Sequence, residues 1–312
     1  MRVTFHYEAG PALAAQLAAL EDVTVETCAE ADEARFAALL PRTEVLWHVL
    51  KPVTSAHMDA APSLKLIQKI GVGVNTIDVE AAKARGIAVC NLPGTNSPAV
   101  AEMTLLLMLG ALRQAARFDA ATRAGNGWAQ PPAVQDGLRE LGGLTVGLIG
   151  AGAVPRALAP VLHALGCHVL YTATAPKPDG PGEFRSLDAL LVESDLVSLH
   201  APLTPATRHM IGAAAIARMK PGAVLVNTAR GGLVDTAALA AALTSGRLSA
   251  AGIDVFEEEP VASGNPLLSL PNVLLAPHIA WLTTGTFARS FALAAENCRR
   301  LRDGAALLHR VA

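Results

Sequence analysis

The sequence predicts an α/β chain folded as two doubly wound parallel-sheet domains, and three observations carry that expectation. At 312 residues the chain is longer than one hydrophobic core usually grows, so two domains of ordinary size are expected. Its composition is 52% hydrophobic, 17% charged and only 4% aromatic. The apolar excess comes mostly from Ala, Leu and Val, which suits helices packed on aliphatic sheets. Short apolar stretches also alternate with Ala-rich helical ones throughout, the pattern of β-α-β units with parallel strands.

Strands are expected at residues 3–6, 45–49, 66–70, 88–91, 146–149, 168–172, 196–200, 223–227 and 273–276. Turns rich in Gly, Pro, Asn and Asp separate them, with no low-complexity linker and no repeat of solenoid period. The segment Ser97-Pro98-Ala99-Val100-Ala101-Glu102 offers a Ser cap, Pro at the first helical position and an acid in the next turn. A long helix should start there and carry the chain into the second domain. A second crossing near residues 278–281 would bring it back, leaving a C-terminal helix over 284–302 in a discontinuous first domain. The expected domains are residues 1–97 with 280–312, and residues 98–279. The longest apolar run, residues 103–112, is too short for a membrane span of ~20 residues and reads as a buried helix.

Net charge is −2 with no block of like charges, which offers no footprint for nucleic acid or an anionic membrane. A small-molecule partner is expected. Cys28, Cys90, Cys167 and Cys298 lie far apart without C-x-x-C spacing, and no basic stretch followed by a signal-type apolar region stands at the N-terminus. The expectation is a cytoplasmic protein with free thiols. The nine histidines include no H-x-x-x-H pair, His163 and His168 read as helix-end and strand-start residues, and no metal site is expected.

In Leu144-Thr-Val-Gly-Leu-Ile-Gly150-Ala-Gly152-Ala-Val-Pro155-Arg-Ala, an apolar strand runs into glycines and then a helix, the context a dinucleotide fingerprint needs. Gly150 allows the tight turn, Gly152 lets backbone approach a pyrophosphate, and the helix N-terminus, beginning at Ala153 and Val154, supplies N–H groups. Pro155 replaces the third glycine and brings bulk where close helix packing is usual. Alone, this segment could equally be a tight strand-to-helix turn. The acid expected about 20 residues on, to bind the ribose hydroxyls, is absent. Thr172, Ala173 and Thr174 stand there, Lys177 is the nearest cation or else a solvated loop lysine, and NAD and NADP both stay open.

Three later segments carry more information: Val226-Asn-Thr228-Ala-Arg230-Gly-Gly-Leu-Val-Asp235, Gly252-Ile-Asp254-Val-Phe-Glu-Glu-Glu259-Pro260, and Ala276-Pro-His278-Ile-Ala-Trp281. With them stand Gly71-Val72-Gly73-Val-Asn-Thr-Ile-Asp78, Asn91-Leu-Pro-Gly-Thr-Asn96 and His200-Ala-Pro202-Leu-Thr-Pro-Ala-Thr207-Arg208. On these motifs the chain resembles, over almost its whole length, the D-isomer-specific 2-hydroxyacid dehydrogenases, in particular glyoxylate and hydroxypyruvate reductases. The resemblance implies a Rossmann cofactor domain, a flavodoxin-like discontinuous substrate domain, a homodimer formed through the cofactor domain, and closure of the domains before hydride transfer. By the family's pattern Arg230, Glu259 and His278 match the catalytic trio. Asp254 matches the residue holding the nicotinamide carboxamide, and Val72 and Gly73 the backbone donors to the substrate carboxylate. Cofactor contacts are expected at Gly150, Gly152, Ala153, Val154, Thr172, Pro202, Thr207, Thr228 and Asp254. The family's pattern also selects Glu259 from the run Glu257, Glu258 and Glu259; physics alone does not choose.

The chemistry asks for the same residue types. A planar Arg fork grips a keto acid's carboxylate bidentately and polarises the adjacent carbonyl, a task that fits Arg230. As hydride reaches the carbonyl carbon, the oxygen must take a proton, and a His paired with a carboxylate can be held protonated to supply it. Singly, each residue has a plainer account: a turn arginine, a solvated acidic loop, a His capping a segment. In order, each after a strand at the ligand-binding edge of a doubly wound sheet, they read as a site.

His48 and Lys51 could meet a second anionic group on the substrate, and Trp281 could wall the pocket; a strand-end His and an exposed Lys are the alternatives. Phosphite dehydrogenases of this scaffold place a lysine where Val72 stands, and formate dehydrogenases pair their His with Gln, so both are disfavoured. A cofactor-sensing protein like the corepressors built on this fold is the rival of another class.

Overall fold

The computed structural model describes the backbone of residues 1–312 and every side chain except those of Ala133 and Gln135. The chain divides into two compact units, Met1–Asn96 with Leu282–Ala312, and Ser97–Trp281.

The first unit is built on five strands, β1 (Arg2–His6), β2 (Thr24–Cys28), β3 (Val45–His48), β4 (Leu66–Lys69) and β5 (Ala88–Cys90), all parallel in the order β2-β1-β3-β4-β5. Strands β3 and β4 are buried at every position; β3 reads as an apolar run, whereas β4 buries Gln68 and Lys69 beside Leu66 and Ile67. Edge strand β2, Thr-Val-Glu-Thr-Cys, buries only Cys28 fully and carries no such signal. The returning helix Thr284–Arg302 starts at Thr283, whose hydroxyl accepts from the Thr286 amide, and ends on three arginines that complement the helix dipole. Its apolar stripe of Phe287, Phe291, Ala294, Ala295 and Cys298 is buried. Phe291 stacks on Trp47 of β3 at 5.5 Å and meets Phe5 of β1 edge-on at 5.6 Å.

The second unit has seven parallel strands: β6 (Thr145–Ile149), β7 (His168–Thr172), β8 (Glu183–Phe184), β9 (Leu196–Leu199), β10 (Ala223–Asn227), β11 (Leu248–Ile253) and β12 (Val273–Leu275). Their order is β12-β11-β10-β9-β6-β7-β8. Successive connections run one way from β6 to β8 and the other way from β9 to β12, so the order reverses between β6 and β9. Loops leaving the carboxyl ends there flank the crevice where such sheets bind ligands. Apolar cores cover both faces of the sheet.

Helix Ser97–Leu112 begins at Ser97 itself, one residue before the start expected at Pro98. It buries Thr104, Leu107, Met108, Ala111 and Leu112. It sits close to β11, where a Cβ on Gly252 would come within 2.8 Å of the Leu107 Cβ. The apolar run expected to be buried is only half so, because Leu106 and Leu109 stay 54% and 41% exposed. Among the described residues no single helix is long and apolar enough to cross a membrane; only Ser97–Leu112 taken with Ala115–Arg123, bent by 66°, has the length and composition. All four cysteines are buried and unpaired.

Candidate active site

The glycine turn leaves β6 at Gly150, whose φ of +124° lies where a side chain is strained. A Cβ there would also stand 2.7 Å from the carbonyl oxygen of His200, so only glycine lets the loops after β6 and β9 approach this closely. Gly152 precedes helix Ala153–Ala164, no side chain caps that helix, and a Cβ at Gly152 would meet nothing within 4 Å. Open space beside uncapped N–H groups at a switch point fits a pyrophosphate. Pro155 sits in the first turn, ahead of Arg156, whose amide bonds Gly152 O at 3.3 Å, and its ring is buried. The missing N–H therefore costs no helical bond.

At the end of β7, Thr172 is buried and its carbonyl accepts the Gly150 amide at 2.9 Å. The following loop folds back so that the Lys177 amide donates to the Tyr171 hydroxyl at 2.7 Å. Arg156 donates from Nε to Ala151 O at 3.0 Å and is ion-paired with Asp179. Thr207 Oγ1 donates to Pro202 O at 2.7 Å and accepts the Thr204 amide at 2.8 Å, which stiffens that turn. The Thr104 hydroxyl donates to Val100 O at 2.7 Å, so the Thr228 hydroxyl, 2.9 Å away, donates to Thr104 and is left only as an acceptor.

The residues of the expected trio follow β10, β11 and β12 and lie in the same unit. Arg230 is extended at the end of a turn set by buried Asn227, whose side chain accepts the Ala229 amide at 3.0 Å and donates to Arg230 O at 2.9 Å. Sequence reasoning gave Asn227 no role, although an Asn three residues before the Arg at a strand end is the signature of such a turn. Burial pulls the Arg230 guanidinium below its ordinary value, opposed by the charge of Glu259. A cation held in a dry place seeks an anion there.

Glu259 Oε2 lies 2.6 Å from His278 Nδ1, and Glu259 Oε1 accepts the Phe256 amide at 2.9 Å. Burial pushes the Glu259 carboxyl up, but the bonds from His278 and Phe256 and the charges of His278 and Arg230 outweigh it, so it lies below the usual carboxylate range. It is an anion at neutral pH. His278 has φ +56°, sparsely populated for a residue with a side chain, and its amide donates to Asp254 O at 2.7 Å. Its carbonyl accepts Trp281 Nε1 at 2.9 Å, which ties Trp281 to the loop of the histidine.

Asp254 is fully buried, and its two carboxylate oxygens accept the amides of Ile279 and Ala280 at 2.9 and 3.0 Å. Burial raises its carboxyl above the usual range against those bonds. Asp254 thus anchors the loop that carries His278. The three neighbouring glutamates separate by geometry: Glu259 meets His278, Glu257 meets His209, and Glu258 is exposed. His200, beside the glycine turn, is drawn down to about 3 by burial and is neutral, with Nε2 3.0 Å from Ser198 Oγ.

Val72 and Gly73 belong to the first unit, on the loop after β4. The Val72 side chain is exposed, and its carbonyl accepts from Asn91 Nδ2 at 2.9 Å. Two hypotheses for this unit meet prior commitments. Lys51 is ion-paired with Glu33 and donates to Glu30 O at 2.6 Å, and His48 is fully buried with Nε2 2.8 Å from Thr76 Oγ1.

A family model for the D-isomer specific 2-hydroxyacid dehydrogenase NAD binding domain matches residues 105–280. A glyoxylate reductase of Aeropyrum pernix is 42% identical over 255 residues, 79% of this chain and 76% of the relative. A hydroxypyruvate reductase of Thermotoga maritima is 42% identical over 245 residues, 77% of this chain and 79% of the relative. The crystal structure of a D-lactate dehydrogenase from Aquifex aeolicus, complexed with NAD and lactic acid, is 31% identical and superimposes with a TM-score of 0.83, covering 97% of this chain and 96% of that one.

Proposed function

The chain belongs to the D-isomer specific 2-hydroxyacid dehydrogenases, enzymes of hydride transfer between nicotinamide and 2-hydroxy or 2-keto acids, and from that premise we propose that it reduces a small 2-keto acid such as glyoxylate or hydroxypyruvate with NADH. One observation carries the proposal for this chain's residues: His278 and ionised Glu259 form a 2.6 Å pair, with the half-buried Arg230 cation in electrostatic contact with Glu259.

Bound at the glycine turn, the dinucleotide supplies the hydride. Gly150, Gly152, Ala153 and Val154 would hold its pyrophosphate, and Thr172, Pro202, Thr207, Thr228 and Asp254 are the further proposed contacts. Arg230 grips the substrate carboxylate and polarises the adjacent carbonyl, with Trp281 as a proposed wall. His278, its Nδ1 occupied by Glu259, presents Nε2 to the carbonyl oxygen and gives up a proton as charge develops there. Glu259 holds the imidazolium charged and oriented until transfer, and in the oxidation direction the neutral ring accepts the hydroxyl proton.

NAD is the proposed cofactor because an NAD binding domain model matches and a similar D-lactate dehydrogenase holds NAD. In addition, Thr172, Ala173 and Thr174 offer no cation for a 2′-phosphate, the charge of Arg156 is taken by Asp179, and Lys177 is an exposed loop lysine. A homodimer accords with Leu106 and Leu109, exposed three residues apart on helix Ser97–Leu112, and with Trp128, which is 97% exposed. A cytoplasmic location accords with four unpaired thiols. A screen of glyoxylate, hydroxypyruvate, pyruvate and a dicarboxylic keto acid with NADH and NADPH tests the proposal. Steady NADH oxidation supports it, whereas tight NADH binding without turnover on any keto acid would favour the cofactor-sensing alternative.

A further inference from the structure

The loop of residues 254–260 carries two histidine-carboxylate pairs, and the reaction proposed above uses one of them. Two residues before Glu259, Glu257 places Oε1 2.5 Å from His209 Nε2 and accepts the Thr236 amide at Oε2, 3.1 Å away. The two side chains are 27% and 39% exposed, so water screens the pair only in part. His209, like His278, has a left-handed backbone, φ +51° against +56°. Its amide donates to Gly232 O at 2.8 Å, which ties it to the turn that carries Arg230.

That turn packs directly on the acidic loop. A Cβ on Gly231 would come within 1.9 Å of the Phe256 carbonyl carbon and 2.4 Å of the Glu257 amide nitrogen, so the two backbones are in contact. Helix Thr236–Thr244 starts a few residues later, and its first amide is the one bonded to Glu257. One carboxylate therefore joins the His209 segment, the Arg230 turn with the helix after it, and the loop that ends in Glu259. Burial pushes the Glu257 carboxyl up, yet its bonds to Thr236 and His209 bring it below the usual range, so it is charged at neutral pH.

We propose that Glu257 is a positioning residue: bonded to His209 and to the Thr236 amide, it holds residues 256–259 against the Arg230 turn so that Glu259 faces His278. The proposal rests on the assignment of Arg230, Glu259 and His278 made above. It also gives separate tasks to neighbouring carboxylates that the sequence leaves indistinguishable.

The test compares Glu257→Ala, Glu257→Gln and His209→Asn with Glu259→Gln, measuring kcat, KM for the keto acid and for NADH, the pH profile, and thermal stability. Glu257→Ala should lower kcat about tenfold or more, since small misplacements of reacting groups cost this much. Its NADH KM should stay near wild type, so that the loss falls on kcat. Glu257→Gln, which keeps an acceptor for Thr236, should recover most of kcat. His209→Asn tolerates the left-handed backbone, and should show a smaller loss of the same kind even if the alanine variant folds poorly. A lower melting temperature with unchanged kcat in the Glu257 and His209 variants, while Glu259→Gln is impaired, would overturn the positioning role alone. No effect of Glu259→Gln would overturn the assignment of the trio and the proposal with it.

Discussion

Replacing Glu259 by Gln removes one negative charge and one acceptor, since the single amide oxygen can serve His278 Nδ1 or the Phe256 amide but not both. The paired atoms are 2.6 Å apart. With charge centres roughly 4 Å apart, Coulomb attraction is about 4 kcal/mol at an effective dielectric of 20 and about 1 kcal/mol in water. The side chains are 21% and 34% exposed, so the pair lies between these limits. Discounting for screening leaves about 2 kcal/mol. That corresponds to about 30-fold in rate.

Glu259 lies below the usual carboxylate range, so the wild-type pair is complete at neutral pH and is lost only as pH falls through that lowered value, while the variant lacks the anion at every pH. At neutral pH kcat/KM should be about 30-fold lower than wild type, and at acid pH the gap should narrow. The assay is NADH oxidation across the pH range, with NADH affinity measured by fluorescence as a control. Activity within about twofold of wild type at every pH would refute the reasoning, because a carboxylate 2.6 Å from the ring nitrogen cannot be removed without consequence if the pair acts in the reaction.

Gly152→Asp should leave thermal stability nearly unchanged, since a Cβ there meets nothing within 4 Å, yet weaken NADH binding more than about tenfold by setting an anion where the pyrophosphate would lie; calorimetric titration and a melting curve check the two halves. Asp254→Ala should strand the amides of Ile279 and Ala280 and cost about 1–3 kcal/mol for each left unpaired, read by urea unfolding, with a parallel loss of kcat as the His278 loop loosens. Leu109→Glu places a charge on the exposed stripe of helix Ser97–Leu112 and should shift the protein from dimer to monomer in sedimentation, with its circular dichroism unchanged.

The two α/β sheets and the order of the trio were legible because buried parallel strands write themselves as apolar runs and because the motif residues follow strand ends. Edge strand β2 was not legible, since Thr24, Glu26 and Thr27 sit at a sheet margin where nothing forces an apolar pattern. The exposure of Leu106 and Leu109 was missed for the opposite reason: a helix apolar all round does not say which face the core takes. Pro155 looked like a defect in the glycine pattern until the helix start placed it where no amide bond is lost. Within the acidic run, Glu257, Glu258 and Glu259 are chemically identical, and only the positions of His209 and His278 tell them apart.

The most direct test of the account is NADH oxidation with glyoxylate or hydroxypyruvate by the wild-type protein beside His278→Ala. The account predicts steady wild-type turnover and a loss of about 10²- to 10⁴-fold in the variant, with NADH affinity preserved. Near-normal turnover by His278→Ala, or a wild-type protein that binds NADH and never oxidises it, would contradict the central claim.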